Sequence, residues 1–426
     1  MVRLTGLLSR LSPAHIAVIG DFNLDTYTVG KVRRISPEAP VAVLNVSSVE
    51  HRAGSAGNVV LNLLSLGATV TVIGRIGSDS TGDHLKTIFV TENISTTGLF
   101  VQLGYQTPVK NRVVAESQQI VRVDYEESTP LPEILEQTII DSLPTLLAEV
   151  SVIAISDYDK GFLSRTLLSA IFEYAKNSKK TVIVDPKGID FSKYQGATLI
   201  KPNLSELYAA ANVHRGVPIE HAAAKVLEIV NAEALMVTRS EAGISLFYED
   251  GKQEDYSVRI HEVKDVTGAG DTVLAMLAYG VASGLTLAEV TPLCNIAASV
   301  AIECFGCARV TIADLARRLL KLDRGNKIFD SEHIFALKHA LKGSKAIALD
   351  LQGCKGFNYA IFQAIALLGG KQDTHLLVHL GNEDPACELL PILKELQSVD
   401  FVLVGNDGFD SLCQTLAIEE IHHLKV

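Results

Sequence analysis

An α/β fold with a mainly parallel sheet, covered by helices on both faces, is predicted by three features of the chain. Short apolar runs recur at residues 15–20 (HIAVIG), 68–73, 151–155, 181–184 (TVIV) and 234–238. Helical patterns separate the later runs, for example at 165–175 and 221–230. The runs are apolar throughout, as strands buried on both faces must be, and their alternation with helices is the pattern of a doubly covered parallel sheet.

Taken in order, 15–20 reads as a buried strand ending in a glycine, and 41–46 (VAVLNV) as a second strand. Residues 54–66 form a helix entered through small residues. Residues 26–46 and 99–125 are β-rich with little helix between their strands. They are expected to form a small antiparallel sheet, a flap spanning about 22–47 and 98–127 that closes over a substrate and excludes water. From 273 to 320 the pattern is helical, and the polar run Leu322-Asp-Arg-Gly-Asn326 marks a boundary. A helix at 332–341, strands at 345–351, 374–380 and 401–404, and helices at 361–368 and 386–396 then repeat the alternation. The expected domains are 1–322 and 323–426, the second a smaller α/β unit.

Composition narrows the function. The 426 residues are 47% hydrophobic and 20% charged, an ordinary globular profile. A net charge of -11 argues against bulk attraction to nucleic acid or anionic membrane. No apolar run approaches the roughly 18 residues that span a bilayer, and the N-terminus is too short and interrupted for a signal peptide, so the cytoplasm is expected. Six scattered cysteines, with one C-x-x-C pair at Cys304 and Cys307 and no second pair, read as buried reduced thiols.

The sharpest chemical signal is Asp265-Val-Thr-Gly268-Ala269-Gly270-Asp271, followed directly by an apolar helix. Two glycines let a ligand approach the backbone, and the helix N-terminus offers free N–H groups and a positive dipole end. Asp271 in the first turn can take a hydroxyl proton while those amides stabilise a transferring phosphoryl group. Alone, the same run is also an ordinary glycine turn with a first-turn aspartate.

Further motifs stand in order with it. They are Gly20-Asp-Phe-Asn-Leu-Asp25, Gly54-Ser-Ala-Gly57-Asn58, Pro202-Asn203-Leu204-Ser205-Glu206 and Thr238-Arg-Ser240-Glu-Ala-Gly243. Together the five resemble the signatures of the ribokinase-like (PfkB) carbohydrate kinases over roughly 300 residues. The resemblance implies a three-layer ribokinase-like sandwich with a small β-sheet lid. It implies ATP and Mg2+ as cofactors, allows a monovalent cation such as K+, and makes Asp271 the base within the anion hole of Gly268, Ala269 and Gly270. Asp25 binds sugar hydroxyls, and Gly54 belongs to the N-terminal glycine signature. Asn203 and Glu206 belong to a motif tied to magnesium and phosphate. Asn203, Leu204, Ser205, Glu206, Thr238, Ser240, Gly243 and Asn295 are placed around the nucleotide, which is expected along the sheet's carboxyl edge. The family usually has Gly-Gly where this chain has Gly54-Ser55, so Ser55 is expected to stiffen a hinge.

Ile35-Ser-Pro-Glu-Ala-Pro-Val41, Ser117-Gln-Gln-Ile-Val-Arg-Val-Asp124, Ser156-Asp-Tyr-Asp-Lys-Gly161 and the run from Asp185 to Tyr194 look like the heptose branch. That branch is the kinase half of bifunctional heptose 7-phosphate kinase/heptose 1-phosphate adenylyltransferases. The substrate implied is D-glycero-D-manno-heptose 7-phosphate, phosphorylated at O1 on the way to ADP-heptose. Asp25 and Asn58 suit hydroxyl recognition, and Arg112, Arg122, Lys160 and Lys187 are candidate phosphate anchors, with ion-paired surface as their plain alternative. A homodimer is expected. Other sugars or nucleosides, and a non-catalytic sugar-phosphate sensor, stay open as rival readings.

The second half of that branch is a nucleotidyltransferase with a G-C-F-D strand exit and an H-x-G-H motif. The matching segment here runs from Gly353-Cys354 to Tyr359-Ala360-Ile361-Phe362, without either histidine or the glycine. The chain ends at Val426, before the later I-S-T-S-type motif. A degenerate cytidylyltransferase-like domain of Rossmann-like type, without adenylyl transfer, is expected at 323–426.

Overall fold

The structure is a computed structural model that describes residues 4–116, 118–258, 263–322, 327–354, 356–369, 371, 374–381, 388–405 and 408–424. The chain divides into two compact units, Ser12–Val310 and a second formed by Met1–Leu11 with Thr311–Val426.

The larger unit carries strands β1 (His15–Gly20), β2 (Phe22–Ile35), β3 (Ala42–Ser55), β4 (Thr69–Gly77), β5 (Leu99–Gln102), β6 (Val109–Ala115), β7 (Gln118–Tyr125), β8 (Val152–Ser156), β9 (Thr181–Asp185), β10 (Leu199–Ile200), β11 (Ala234–Thr238), β12 (Ile244–Tyr248) and β13 (Gln253–Tyr256). Nine of them form one sheet in the order β13-β12-β11-β10-β9-β8-β1-β4-β5, parallel except for the hairpin β12–β13 at one edge. The central strands are buried on both faces because helices cover them. The helix Arg165–Asn177 is capped by Ser164, whose hydroxyl accepts from Leu167 N at 3.0 Å. It turns Leu167, Leu168, Ile171, Phe172 and Ala175 into one core cluster with Ile153, Ile155, Val182 and Val184. Helix Ala269–Ala282 is buried continuously from Asp271 to Gly280, so its sequence is apolar all round rather than striped.

The lid is the four-stranded sheet β3-β2-β6-β7. It differs from the expectation in three ways. β5, expected in the lid, pairs with β4 in the large sheet. The lid is mixed, since β2 and β6 run parallel. β3 continues to Ser55, so the helix that follows begins at Ala56 and ends at Leu66. A single extended register from Phe22↔Ser55 onward, broken by two bulges, carries β3 that far.

The smaller unit holds β14 (Ile328–Phe329), β15 (Lys345–Asp350), β16 (Thr374–His379), β17 (Phe401–Leu403) and β18 (Glu420–His423) in the all-parallel order β14-β17-β16-β15-β18. β14, β18 and the helix Phe409–Leu416 were not expected from the sequence. Helix Ile312–Leu322, expected with the larger unit, packs instead on helix Ile334–Leu341 and on the N-terminal helix Leu4–Ser9. Its apolar stripe of Leu315, Ala316, Leu319 and Leu320 needs those partners, and the division between the units falls at 310/311 rather than 322/323.

Candidate active site

The central strands of the large sheet release polar residues at their carboxyl ends, where open α/β sheets bind ligands. β8 runs from Ser156 into Asp157 and Tyr158, β9 ends on Asp185, β10 leads into Lys201, and β11 ends on Thr238. Gly268, the cap of helix Ala269–Ala282, lines the same cavity of ≈ 170 Å³ as Tyr158, Asp185, Lys201 and Thr238. Its φ is 77°, and a Cβ there would lie 2.5 Å from Asn58 Nδ2, so conformation and space both require glycine. Ala269 N donates to Val266 O at 3.3 Å, while the amides of Gly270 and Asp271 that follow have no acceptor within the helix and suit an anion.

Asp271 is 3% exposed. Its Oδ2 accepts from Asn58 Nδ2 at 2.9 Å and its Oδ1 from the Tyr158 hydroxyl at 2.8 Å. Burial lifts its pKa to about 6, against the pull of those two hydrogen bonds and of Lys201. A carboxylate so poised and aimed can accept a hydroxyl proton near neutral pH.

Asp25 is equally buried. Its Oδ1 accepts from Arg112 Nη1 at 2.8 Å and Asn23 Nδ2 at 3.0 Å, and the Cys307 thiol approaches Oδ2 at 3.4 Å. A Cβ on Gly54 would fall 2.5 Å from Asp25 Oδ2, so glycine is needed there for close approach. Two sequence expectations change here. Asn58 grips Asp271 rather than standing free for a hydroxyl, and Arg112 is committed to Asp25 rather than to a phosphate.

Along the wall of the same cavity, Asn203 pairs with Thr238 as a parallel bridge, and Thr238 N donates to Pro202 O at 3.1 Å. Asn203 and Glu206 form a capping box. Asn203 Oδ1 accepts from Glu206 N, and Glu206 Oε2 from Asn203 N, both at 2.9 Å. The cap uses one lone pair of the Asn203 side-chain oxygen, as it does of Glu206 Oε2. Glu206 Oε1 holds Lys187 Nζ at 2.7 Å, so Lys187 is an ion-pair partner on that wall rather than a free anchor. Gly243 closes the turn after β11, where Arg239 N donates to its carbonyl at 2.8 Å, and Asn295 Nδ2 holds Tyr256 O at 2.9 Å at the end of β13. Ser240 is exposed on that turn. Leu204 packs against the core, and Ser205 faces outward to Arg215 at 2.6 Å. Arg122 lies on the exposed strand β7, paired with Asp124 at 2.9 Å, and is not brought to the site.

The sequence reading missed Asp185, Lys201, Tyr158 and Cys307 as site residues. Asp185 and Lys201 form an ion pair at 2.9 Å, with the lysine side chain 3% exposed. Burial raises Asp185 to about 7, with Asp271 and Glu206 pushing the same way and Lys201 opposing. Their signal was available, because each is the first polar residue at the carboxyl end of an apolar strand. Tyr158 and Cys307 carried no such signal. Burial, then the charge of Asp271, pushes the Tyr158 hydroxyl well up, so it stays a donor. Among the described cysteines, Cys294, Cys307 and Cys413 are buried as expected, Cys354 is half-buried and Cys304 is exposed. Cys387 lies outside the described residues.

A divalent cation suits this cavity. Asp185 and Glu206 both line it, and magnesium takes one or two carboxylates together with substrate phosphates and water. Among the described residues no group of three His, Cys, Asp or Glu gathers as a complete cage. Among them, too, no helix is long and apolar enough to cross a membrane.

In the smaller unit, helix Tyr359–Leu368 opens on the segment that stands where the resemblance would place H-x-G-H. Asn358 caps it, accepting from Ile361 N at 3.0 Å, while Tyr359 and Phe362 are exposed and Ile361 is buried. At the strand ends, Asp350 accepts from His379 at 2.9 Å and lies 3.4 Å from His423.

Residues 13–313 match the family described as pfkB family carbohydrate kinase. A bifunctional protein HldE of Trichlorobacter lovleyi is 40% identical over 352 residues, 82% of this chain and 72% of that protein. One from Pelobacter propionicus is 37% identical over 415 residues, 93% of this chain and 85% of that protein. Among solved structures, ribokinase of Arabidopsis thaliana, complexed with ribose and ATP, superposes with a TM-score of 0.59 at 18% identity, covering 72% of this chain and 99% of that one. With a ribokinase-like fold and a match across more than two thirds of its length, the chain belongs to the pfkB family of carbohydrate kinases.

Proposed function

We propose that the enzyme phosphorylates D-glycero-D-manno-heptose 7-phosphate at the anomeric O1, giving the 1,7-bisphosphate and ADP for ADP-heptose and lipopolysaccharide core synthesis. The observation that carries the reading is the buried Asp271 carboxylate, gripped by Asn58 and Tyr158 in the first turn of a glycine-capped helix.

Asp271 takes the proton of the anomeric hydroxyl as that oxygen attacks the γ-phosphoryl group of ATP, and the O–P bond to ADP breaks in line. The amides at 268–270 bear part of the developing charge. Asp25, oriented by Arg112 and Asn23, accepts from sugar hydroxyls. Asp185 and Glu206 would hold magnesium, which supplies charge neutralisation at the phosphates when bound. Lys201 lies beside Asp185 and adds a fixed positive charge on the same side.

The lid strands expose Ile35, Val46, Val49, Ile120, Val121 and Tyr125, an apolar surface consistent with closure in a homodimer. The smaller unit is read as a nucleotidyltransferase-like domain without transferase chemistry. Tyrosine and phenylalanine at its helix N-terminus supply no imidazolium for a nucleotide phosphate.

ADP release with ATP, magnesium and the heptose phosphate tests the kinase, with pyrophosphate release from ATP and heptose 1-phosphate run in parallel. ADP without pyrophosphate is expected. ADP only with another sugar discards the heptose assignment, and pyrophosphate discards the reading of the smaller unit.

A further inference from the structure

We propose that a second cavity, reached from the other side of Asn58, is the subsite for a phosphate carried on the tail of the acceptor sugar, with Arg52 and Arg309 as its cationic walls. The proposal rests on the kinase reading and deepens it.

The Asn58–Asp271 hydrogen bond links a lining residue of one cavity to a lining residue of another, though the two cavities share none. Asp271, Gly268 and Gly270 line the nucleotide-side cavity. Asn58 and Cys307 line the other, of ≈ 570 Å³, which is within the range of about 300–1,000 Å³ for small-molecule clefts. Asn58 donates to Asp271 from one cavity wall, and Cys307 touches Asp25 from another. Asp271 and Asp25 do not themselves line this cavity, so a sugar held by both would reach it with its remaining carbons past Asn58 and Cys307.

The cations expected to anchor a phosphate are spent elsewhere. Arg112 is on Asp25, Arg122 on Asp124, Lys160 on Glu126 and Lys187 on Glu206, and none of the four lines this cavity. Arg52 and Arg309 do line it. Arg52 stacks on the Tyr27 ring at 5.1 Å, which fixes its plane, and one of its nitrogens lies 3.1 Å from where a Cβ on Gly306 would stand. Their acidic mates, Glu50 and Glu92, are half-exposed, and such surface pairs are weak and screened by salt. A phosphate dianion accepts two parallel N–H bonds from each guanidinium and outcompetes a single carboxylate contact. His51, stacked on His84 at 5.0 Å and with Nδ1 bonded to Thr26 Oγ1 at 3.1 Å, lines the same wall.

Calorimetric titration of the full chain with D-glycero-D-manno-heptose 7-phosphate and with the unphosphorylated heptose reads the subsite without turnover. The phosphorylated sugar is expected to bind at least tenfold tighter. Arg52→Gln and Arg309→Gln should each remove most of that difference, with Arg309→Lys intermediate, while affinity for the unphosphorylated heptose changes less than twofold. Equal binding of the two sugars, or a phosphate preference that survives both glutamine variants, overturns the subsite even if ADP is released. A phosphate preference lost in the variants, with no ADP release from the wild type, supports the subsite and sinks the kinase assignment instead.

Discussion

The main sheets of the two units have the same kind of carboxyl edge, yet among the described residues the two edges differ in how their polar groups are satisfied. Along the large sheet, the buried Asp271 and the half-buried Asp185 are carboxylates raised to about 6 and about 7 by burial, against the pull of Lys201 on both. A glycine-capped helix brings its N-terminus to the same place, and a cavity of ≈ 170 Å³ opens on it. Along the small sheet, the polar strand ends satisfy one another: Asp350 with His379 and His423, and Asp330 with His333 at 2.8 Å. Phe409 stacks on His379 at 5.2 Å, and the opening beside them is only ≈ 10 Å³. Topology alone thus does not make a site. Carboxylates raised by burial, a helix N-terminus and room to bind make one.

The largest effect should follow from removing the base on the reactive edge. Asp271→Asn keeps the shape and the Tyr158 contact but cannot take a proton. A fall in kcat of roughly 10²–10⁴ is expected, the usual range for general-base catalysis. ADP release at saturating ATP measures it. A variant within tenfold of wild type would mean that another group takes the proton, and the contrast between the two edges would lose its chemical meaning.

Lys201→Met tests whether the large edge is held together by charge. It leaves Asp185 beside Asp271 without its cation, and breaking one partner of a buried pair costs about 3–5 kcal/mol. The loss should depend on pH. Asp185 binds its proton more tightly folded (about 7) than at its ordinary 3.8, so its contribution to stability is present at low pH and lost as pH rises through the folded value. Without Lys201 that value rises further, and the charged form becomes still less tolerable. The drop in Tm relative to wild type should be larger at pH 8 than at pH 6, and a pH-independent drop would locate the loss in packing.

A smaller change separates positioning from structure. Tyr158→Phe deletes the donor to Asp271 Oδ1, one of the two hydrogen bonds that hold its pKa down. In the wild type kcat/KM should fall below pH about 6 as Asp271 protonates. In the variant that acid limb should move to higher pH, with a loss near neutrality that partly recovers at pH 8. An unmoved limb with uniformly lower activity would make Tyr158 a packing residue only.

The difference between the edges was half legible in the sequence. The apolar strands and their helices followed from burial on both faces, and the Gly268–Asp271 run could be read because a capped helix start needs those residue types. The lid register could not, because β3 runs to Ser55 through two bulges that no periodicity announces. The same holds for partners. Arg112, Arg122, Lys160 and Lys187 look alike in the sequence as cations near a sugar, and only the fold shows each against its carboxylate. Asp185 and Lys201 were within reach, as polar residues ending apolar strands on the ligand edge. The fate of helix Ile312–Leu322 was not, since its stripe fits either unit equally well.

The smallest effect concerns the entrance to the reactive edge. Ser55, between the lid strand β3 and helix Ala56–Leu66, has φ 52° and ψ -128°, a region that suits glycine and strains a residue with a Cβ. Such conformations cost of order 1–3 kcal/mol, and glycine gives back about 0.5–1 kcal/mol through the freedom it adds to the unfolded chain. Ser55→Gly should therefore stabilise the protein by about 1 kcal/mol and raise Tm by a few degrees, of the order expected for a unit this size. The edge of the small sheet offers the converse, because Gly405 has φ 155°, where a Cβ is strained even in open space, so Gly405→Ser should lower Tm. If Ser55→Gly leaves Tm unchanged or lowers it, the serine is held there by contacts worth as much as its strain. The junction of lid and helix would then be a rigid brace rather than the strained hinge that its dihedral angles describe.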